Sequence, residues 1–325
     1  MRRLVCHAFN GDSGLCVEAA PDPTPGVGEL VVRVSAANVT FVDRLIVTGR
    51  YQVKPPLPFT PGAVGAGEVV AVGPGVREIE PGMRVVALKP TYGLWASHAV
   101  VPAHGVAVIP DGVPHTIAAA AIEAYGTARF ALEDRGRLAA GERVLIHGAS
   151  GAVGSAAIEI AVHLGAETIA VTMGALEWPA THARPSAVID LDRVDDLRSE
   201  LRDRFPDGFD AILDPVGGPM AEPSLRSLRL GGRYLVVGFA SGEIPSLPTN
   251  LALLRNREIV GVEWASWIAA YPDQIRAGMD VVLERLRRQA HHLSEPYAVA
   301  LDDLPGVLRS PAPSTGLVRT LVLPG

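Results

Sequence analysis

The stretch richest in chemistry runs from Val144 to Gly154, VLIHGASGAVG, where Gly148, Gly151 and Gly154 recur at every third position. An apolar, β-branched run that breaks into this spacing has to turn sharply from strand into helix. Such a turn aims backbone N–H groups and a helix N-terminus at one point, which suits the two phosphates of a dinucleotide. Gly148 supplies the turn, Gly151 the close approach, and Gly154 a tight contact between helix and strand. A glycine triplet alone marks many tight turns. Here both flanks agree with it. Gly141 precedes the apolar run, while Val153, Ala156, Ala157, Ile160, Ala161 and Leu164 repeat with helical period up to Gly165, which stands where a helix-ending glycine should. Ala149, Ser150, Gly151, Ala152, Val153 and Gly154 are therefore expected to cradle a pyrophosphate.

Positioning such a loop takes a parallel sheet, and the chain from about residue 118 onward has the pattern for one. Ile117 to Leu132 is alanine-rich and helical. Strand-like runs then alternate with helical ones at Val144–His147, Thr168–Thr172, Ala187–Ile189, Ala211–Asp214, Tyr234–Val237 and Ile259–Val262. This alternation implies a doubly wound sheet with a ligand crevice at the carboxyl ends of its strands. The first part of the chain differs. Short β-branched runs at Leu30–Ser35, Gly67–Val72, Arg84–Leu88, Ser97–Val101 and Val106–Ile109 are separated by proline- and glycine-rich turns, the mark of a partly closed β domain. After Glu263 one long helix, about Pro272 to Gln289, leads to a short tail expected to return to the β domain.

Composition narrows the class. The chain has 325 residues, enough for two cores, with 48% apolar and 20% charged residues, which does not favour disorder. A net charge of −6 without a Lys/Arg run argues against nucleic acid or an anionic membrane as partner. No stretch approaches the roughly 20 apolar residues of a membrane span, and the start does not read as a signal peptide, so a cytoplasmic location is expected. Cys6 and Cys16 are the two cysteines; across a hairpin they could face each other, with free thiols the favoured state in a reducing compartment. His291 and His292 read as a solvated pair in preference to a metal site.

In sequence, GRYQVKPPLPFTPG (Gly49 to Gly62), GEVVAVGPGV (Gly67 to Val76), VLIHGASGAVG, DPVGG (Asp214 to Gly218), GGRYLVVGFASGEIPSLPTNLALLRN (Gly231 to Asn256) and TGLV (Thr315 to Val318) follow in order. With these motifs the chain resembles the medium-chain dehydrogenase/reductase superfamily, specifically its zinc-free quinone oxidoreductase branch. The resemblance implies an α/β protein with a GroES-like β-rich catalytic domain, residues 1–118 and 264–325, and a doubly wound Rossmann domain, residues 119–263. It also implies a nicotinamide cofactor in the cleft between them and a homodimer paired through sheet edges, with Ile259–Val262 as the candidate edge. Zinc-dependent members carry a catalytic Cys where Thr40 stands, a His-Glu pair where Ala63 and Val64 stand, and a four-cysteine loop that is missing here, so no zinc is expected. Without a Lewis acid, alcohol oxidation is disfavoured. Hydride delivery to a quinone or an α,β-unsaturated carbonyl remains feasible.

The remaining site expectations follow the family's positions. Val216, Gly238, Phe239, Ala240 and Ser241 should lie by the nicotinamide end, with Asp214 either contributing there or capping its turn. No acidic residue stands at the end of the second strand of the sheet, around Val171 to Gly174, which favours NADPH over NADH. Thr172 could meet the 2′-phosphate, and Arg184 or His182 could reach back, or these are solvated loop residues. On the substrate side Tyr51 is a cleft wall and hydrogen-bond donor or else a surface tyrosine, and Thr40 retains a hydroxyl for a substrate oxygen. Phe41 and Trp95 line an aromatic-accepting site or belong to the core. Arg129 replaces a positive charge that Leu317 lacks, or is solvated. The expected activity is an NADPH-dependent reductase of quinones or activated alkenes. The alternatives are an enoyl-type reductase of a biosynthetic intermediate and a cofactor-binding protein without redox chemistry.

Overall fold

Alternation in the first hundred residues resolves into strands β1 (Arg2–Cys6), β2 (Leu15–Ala19), β3 (Glu29–Asn38), β4 (Val64–Val72), β5 (Arg84–Leu88), β6 (His98–Pro102) and β7 (Val106–Val108), with one short helix, α1 (Phe41–Val47). The computed structural model describes residues 1–174, 178, 183–289, 295–309 and 319–325. His182, His291, His292, Leu317 and the Thr315–Val318 motif lie outside the described residues.

Helix α2 (His115–Arg129) runs on into a π-helical turn, Phe130–Arg135, and leads to β8 (Arg143–Ile146), α3 (Ala152–His163), β9 (Glu167–Thr172) and β10 (Ala187–Asp190). Then come α4 (Leu197–Arg204), β11 (Phe209–Asp214), α5 (Ala221–Ser227), β12 (Leu228–Val236), α6 (Asn250–Leu253) and β13 (Glu258–Gly261). The chain closes with α7 (Trp264–Ala270), α8 (Pro272–Gln289), β14 (Tyr297–Ala300), α9 (Leu304–Arg309) and β15 (Thr320–Leu323). Among the described residues no helix is long and apolar enough to cross a membrane.

Contacts divide the chain into two units. One holds Met1–Glu123 and the described residues from Ala265 on; the other is Ala124–Trp264. Both boundaries fall inside helices, α2 and α7, where the periodicity of the sequence gives no break. In the first unit β1 and β2 form an antiparallel hairpin whose register sets Cys16 opposite Val5 and Cys6 opposite Leu15. The two thiols therefore do not face each other; both are free, Cys6 buried and Cys16 exposed. The main sheet has the order β14-β15-β3-β4-β5-β7, with β6 also on β3. The C-terminal strand β15 joins it antiparallel to β3, Val322 opposite Ala37. Alternate residues of these strands, among them Leu30, Val32, Val34, Val69 and Val85, meet Leu4, Leu94, Trp95 and Val106 in one apolar core.

The second unit is a six-stranded, all-parallel sheet of order β10-β9-β8-β11-β12-β13. Its first strand, β8, is central, and the winding reverses between β8 and β11. That reversal opens a crevice at the carboxyl ends of the strands, where ligands bind in sheets of this kind. Helix α3 packs beside β8 and β9, and its Ala156, Ala157, Ile158, Ile160 and Ala161 are buried. Each buried isoleucine contributes about 1.5–3 kcal/mol, and the alanines let the helix axis come close. On β11 and β12 the register shifts between Phe209 and Ala211, so that β12 begins at Leu228, earlier than the Tyr234 expected from the apolar run.

Candidate functional site

At the end of β8 the chain turns at Gly148, whose φ of +56° lies in the left-handed region that favours glycine. The Ala149 N–H donates to the carbonyl of Val171 at the end of β9 (3.0 Å), and Gly151 N–H donates back to Gly148 (2.8 Å). Gly151 is the N-cap of α3 and, as a glycine, brings no side chain of its own over the first turn. A β-carbon at Gly154 would stand 2.2 Å from the carbonyl oxygen of Gly148, a distance no side chain tolerates. Ala149 is buried, whereas Ser150 and Val153 are half-buried and Gly151 and Ala152 exposed. A helix N-terminus reached over glycines, with Gly151 and Ala152 exposed, fits the phosphates of a dinucleotide.

Two further loops converge on this turn. At the end of β11, Asp214 is buried, and its Oδ1 accepts the N–H groups of Val216 (2.8 Å) and Gly217 (2.9 Å). Of the two roles open to Asp214, the cap of its own turn is thus the one observed. Its Oδ2 accepts the hydroxyl of Tyr234 at 2.5 Å. Cγ2 of Val216 lies 2.8 Å from where a β-carbon on Gly148 would be, so the loops after β8 and β11 touch. After β12, Ala240 N–H donates to Pro215 O (3.1 Å) and Ser241 N–H to Val216 O (3.0 Å), which brings Gly238, Phe239, Ala240 and Ser241 to the same edge. Below them His147, fully buried, bonds Ser224 through Nε2 at 2.8 Å while its Nδ1 has no partner among the described residues. Burial pushes the imidazole pKa down, against the opposing charge of Asp214.

The corner at the end of β9 departs from expectation. Thr172 is buried and its hydroxyl donates to Gly174 O at 3.1 Å, so the side chain is not presented to a phosphate. Arg184 is exposed. Oδ2 of Asp192, from the turn after β10, lies 3.6 Å from where a β-carbon on Gly174 would stand. Arg129 is likewise not a free cation. It grips Asp134 with both terminal nitrogens (3.1 and 2.6 Å) and lies 3.7 Å from Glu133.

In the first unit the start of α1 is closed by a reciprocal cap. Thr40 Oγ1 accepts the Asp43 N–H (3.1 Å), while Asp43 Oδ2 accepts both the N–H (2.9 Å) and the hydroxyl (2.8 Å) of Thr40. The hydroxyl proton of Thr40 is therefore committed to Asp43 and not offered to a substrate oxygen. Trp95 is also reassigned: it is fully buried in the β core and its indole N–H donates to Asn38 O at 2.9 Å. Phe41, by contrast, is 51% exposed at the first position of α1, and Tyr51 is half-buried.

Four residues here were missed from sequence. Tyr92 has φ of +66°, a strained backbone for a tyrosine. Burial first, then the nearby Tyr51 and Asp43, push its pKa up to about 12. Its ring lies 6.0 Å from Phe59, which lies 6.3 Å from Phe9. Glu123, on α2, is the fourth. Loss of water around its carboxyl, with Asp43 adding, pushes its pKa up to about 8; burial likewise holds Asp43 up at about 6 against its hydrogen bonds. Among the described residues no group of three His, Cys, Asp or Glu is placed to hold a metal ion.

A family model described as an alcohol dehydrogenase GroES-like domain matches residues 26–111, and one described as a zinc-binding dehydrogenase matches residues 152–284. Over 278 residues the chain is 34% identical to a quinone oxidoreductase-like protein 2 homolog of Nematostella vectensis, spanning 85% of this chain and 75% of the other. The quinone oxidoreductase of Thermus thermophilus, also solved in complex with NADPH, superimposes with a TM-score of 0.82 at 26% identity, covering 100% of both chains. A mycobacterial protein solved with NADPH gives 0.86 at 25% identity, again over 100% of both.

Proposed function

The chain belongs to the medium-chain dehydrogenase/reductase superfamily, with quinone oxidoreductase-like homologues, and from that premise we propose that it is a zinc-independent reductase delivering hydride from a nicotinamide dinucleotide to a quinone or an activated alkene. The observation that carries this reading is the convergence of the loops after β8, β11 and β12 on a glycine cradle at the switch point of the sheet. The solved relatives named above that hold a nucleotide hold NADPH, which supports a pyridine dinucleotide here. When bound, that cofactor supplies the hydride. Ser150, Gly151, Ala152 and Val153 would meet its phosphates, and Val216 with Gly238 to Ser241 its nicotinamide end.

The proposal of zinc independence rests on Thr40, Ala63 and Val64. A hydroxyl already given to Asp43 and two alkyl side chains offer no thiolate, imidazole or carboxylate to zinc. The zinc-binding dehydrogenase model matches only residues 152–284 and does not include these positions. Reduction of an acceptor that is already electrophilic needs a donor to its developing oxyanion. Tyr92, whose hydroxyl pKa is pushed up to about 12, can donate in that way, with Tyr51 nearby as part of the wall. Phe9, Phe59 and Tyr92 form a half-buried aromatic run that suits a flat acceptor.

One observation favours the enoyl-type reading. An alkene needs a proton on carbon as well as a hydride, and burial, with Asp43 adding, pushes the Glu123 pKa up to about 8, which supports a carboxyl group there as the proton source. A panel of quinones and enones with NADH or NADPH, followed by the absorbance of the reduced nicotinamide, separates the cases. Turnover of quinones alone supports quinone reduction, and turnover of enones alone supports the enoyl-type reading. Saturable nucleotide binding without turnover would defeat both. For assembly we favour a homodimer through β13, which ends the parallel sheet and leaves Ile259 43% exposed.

A further inference from the structure

We infer that Asp192 sets the nucleotide preference of this site toward NADH, by supplying from the third strand of the sheet the ribose-binding carboxylate that the second strand lacks. The inference rests on the dinucleotide reading above. In a doubly wound sheet the adenosine ribose lies at the carboxyl end of the strand next to the central one, and an acid there accepts hydrogen bonds from the 2′- and 3′-hydroxyls. That strand is β9, and it ends in Val171, Thr172, Met173 and Gly174 with no acid.

The register supplies one from outside. Asp190, the last residue of β10, is paired with Thr172, the last of β9, so whatever follows β10 sits beside this corner. Asp190 holds the next turn by accepting the Asp192 N–H at 3.2 Å, and its own charge is met by Arg193 at 3.4 Å. The turn so held sets Oδ2 of Asp192 3.6 Å from the position of a β-carbon on Gly174. Gly174, at φ +78°, has no side chain to screen it. Among the described residues the Asp192 carboxylate itself makes no hydrogen bond or ion pair, so its lone pairs are available.

The sequence that follows β9 is also poor in the cations that a 2′-phosphate requires. Between Thr172 and Ala183 the sequence contains no Lys or Arg and has one acid, Glu177. Trp178 turns its indole N–H to Ala183 O at 2.8 Å. Arg184 and Arg193 are the nearest cations along the chain, and Arg193 is already beside Asp190. A phosphate carrying nearly two negative charges would face an unpaired carboxylate here, whereas a ribose diol finds an acceptor. Preference at this corner depends on a few side chains, so relatives at 25–26% identity that hold NADPH do not decide it.

Titration of the full-length protein with NADH and with NADPH, read by calorimetry, tests the inference without any acceptor. NADH should bind at least about tenfold more tightly than NADPH. Asp192→Asn should weaken NADH and close most of that gap, and Asp192→Lys should reverse the order. Asp192 is exposed, and unchanged thermal midpoints would show that both variants fold. Tighter binding of NADPH to the parent protein, or a ratio unmoved by both substitutions, overturns the inference while leaving the dinucleotide site intact. Absence of binding by either nucleotide would instead overturn the reading on which it rests.

Discussion

Gly154 shows how a single position ties backbone geometry to ligand chemistry. Its missing side chain lets α3 start against the Gly148 carbonyl, and the 2.2 Å available there leaves no room for a methyl group. Gly154→Ala should therefore force the loop open, at about 1–3 kcal/mol of stability and with loss of nucleotide binding. Urea unfolding with a parallel nucleotide titration checks both; unchanged values would show that the contact is not needed. At this scale the sequence was legible where a residue answers to its own neighbours. Each glycine of the loop has a local reason, and Asp214 a local partner in the N–H groups that follow it. It was not legible for Trp95, because a tryptophan in the core and one lining a site look alike in sequence. The same holds for Tyr92, Phe59 and Phe9, which come together from three separated loops, and for Asp192, whose position depends on strand pairing.

Among the elements, α1 carries the exposed Phe41 and the Thr40–Asp43 cap. It has only seven residues, too few to be stable alone, and the reciprocal Thr40–Asp43 cap sets its start. Thr40→Ala should cost about 1 kcal/mol and loosen the Phe41 end. The cost would appear as a lower denaturation midpoint, and a Thr40→Ser variant, which keeps the hydroxyl, should recover most of it. An equal loss in Ala and Ser variants would contradict the capping role. The main strands were readable from alternation and from β-branched runs, with ends displaced by a few residues. Helix α1 was hidden because its segment lies between turns and is too short to show a period. Glu123 was hidden within an alanine-rich helix, where nothing in the sequence marks the side that faces Asp43.

The protein as a whole carries an electrostatic signature of the first unit. Glu123 and Asp43 titrate at about 8 and about 6 in the folded chain, above their ordinary 4.5 and 3.8. The folded state thus holds protons that the unfolded chain has already released, and stability from these groups falls as pH rises from about 4 to 8. The buried His147, shifted downward, acts in the opposite sense below its ordinary value, so the parent curve mixes both effects. Comparison with Glu123→Gln isolates the carboxyl: the variant should gain stability relative to the parent as pH goes from 5 to 8.5. Identical pH slopes would mean that Glu123 is ionised at neutral pH, and the proton it would lend to an alkene would be gone. Both fold classes, the β-rich part and the parallel sheet, were legible from the change of period near residue 118. The boundary inside α2 was not, because a continuous helix gives no signal where contacts change sides.

The loop after β8 is the central element, and Gly151→Asp probes it, its added β-carbon standing 3.1 Å from the Gly148 carbonyl oxygen. Gly151 is the N-cap of α3, with a negative φ of −77°, so aspartate suits the position and should cap the helix. It would also set a carboxylate where the pyrophosphate has to lie. Calorimetric titration of this variant with NADH and NADPH, beside the parent protein, is the most direct measurement. If the loop grips the dinucleotide, the parent binds, and the variant keeps its thermal midpoint but loses affinity by two orders of magnitude or more. Undiminished affinity in a folded Gly151→Asp protein would contradict that grip.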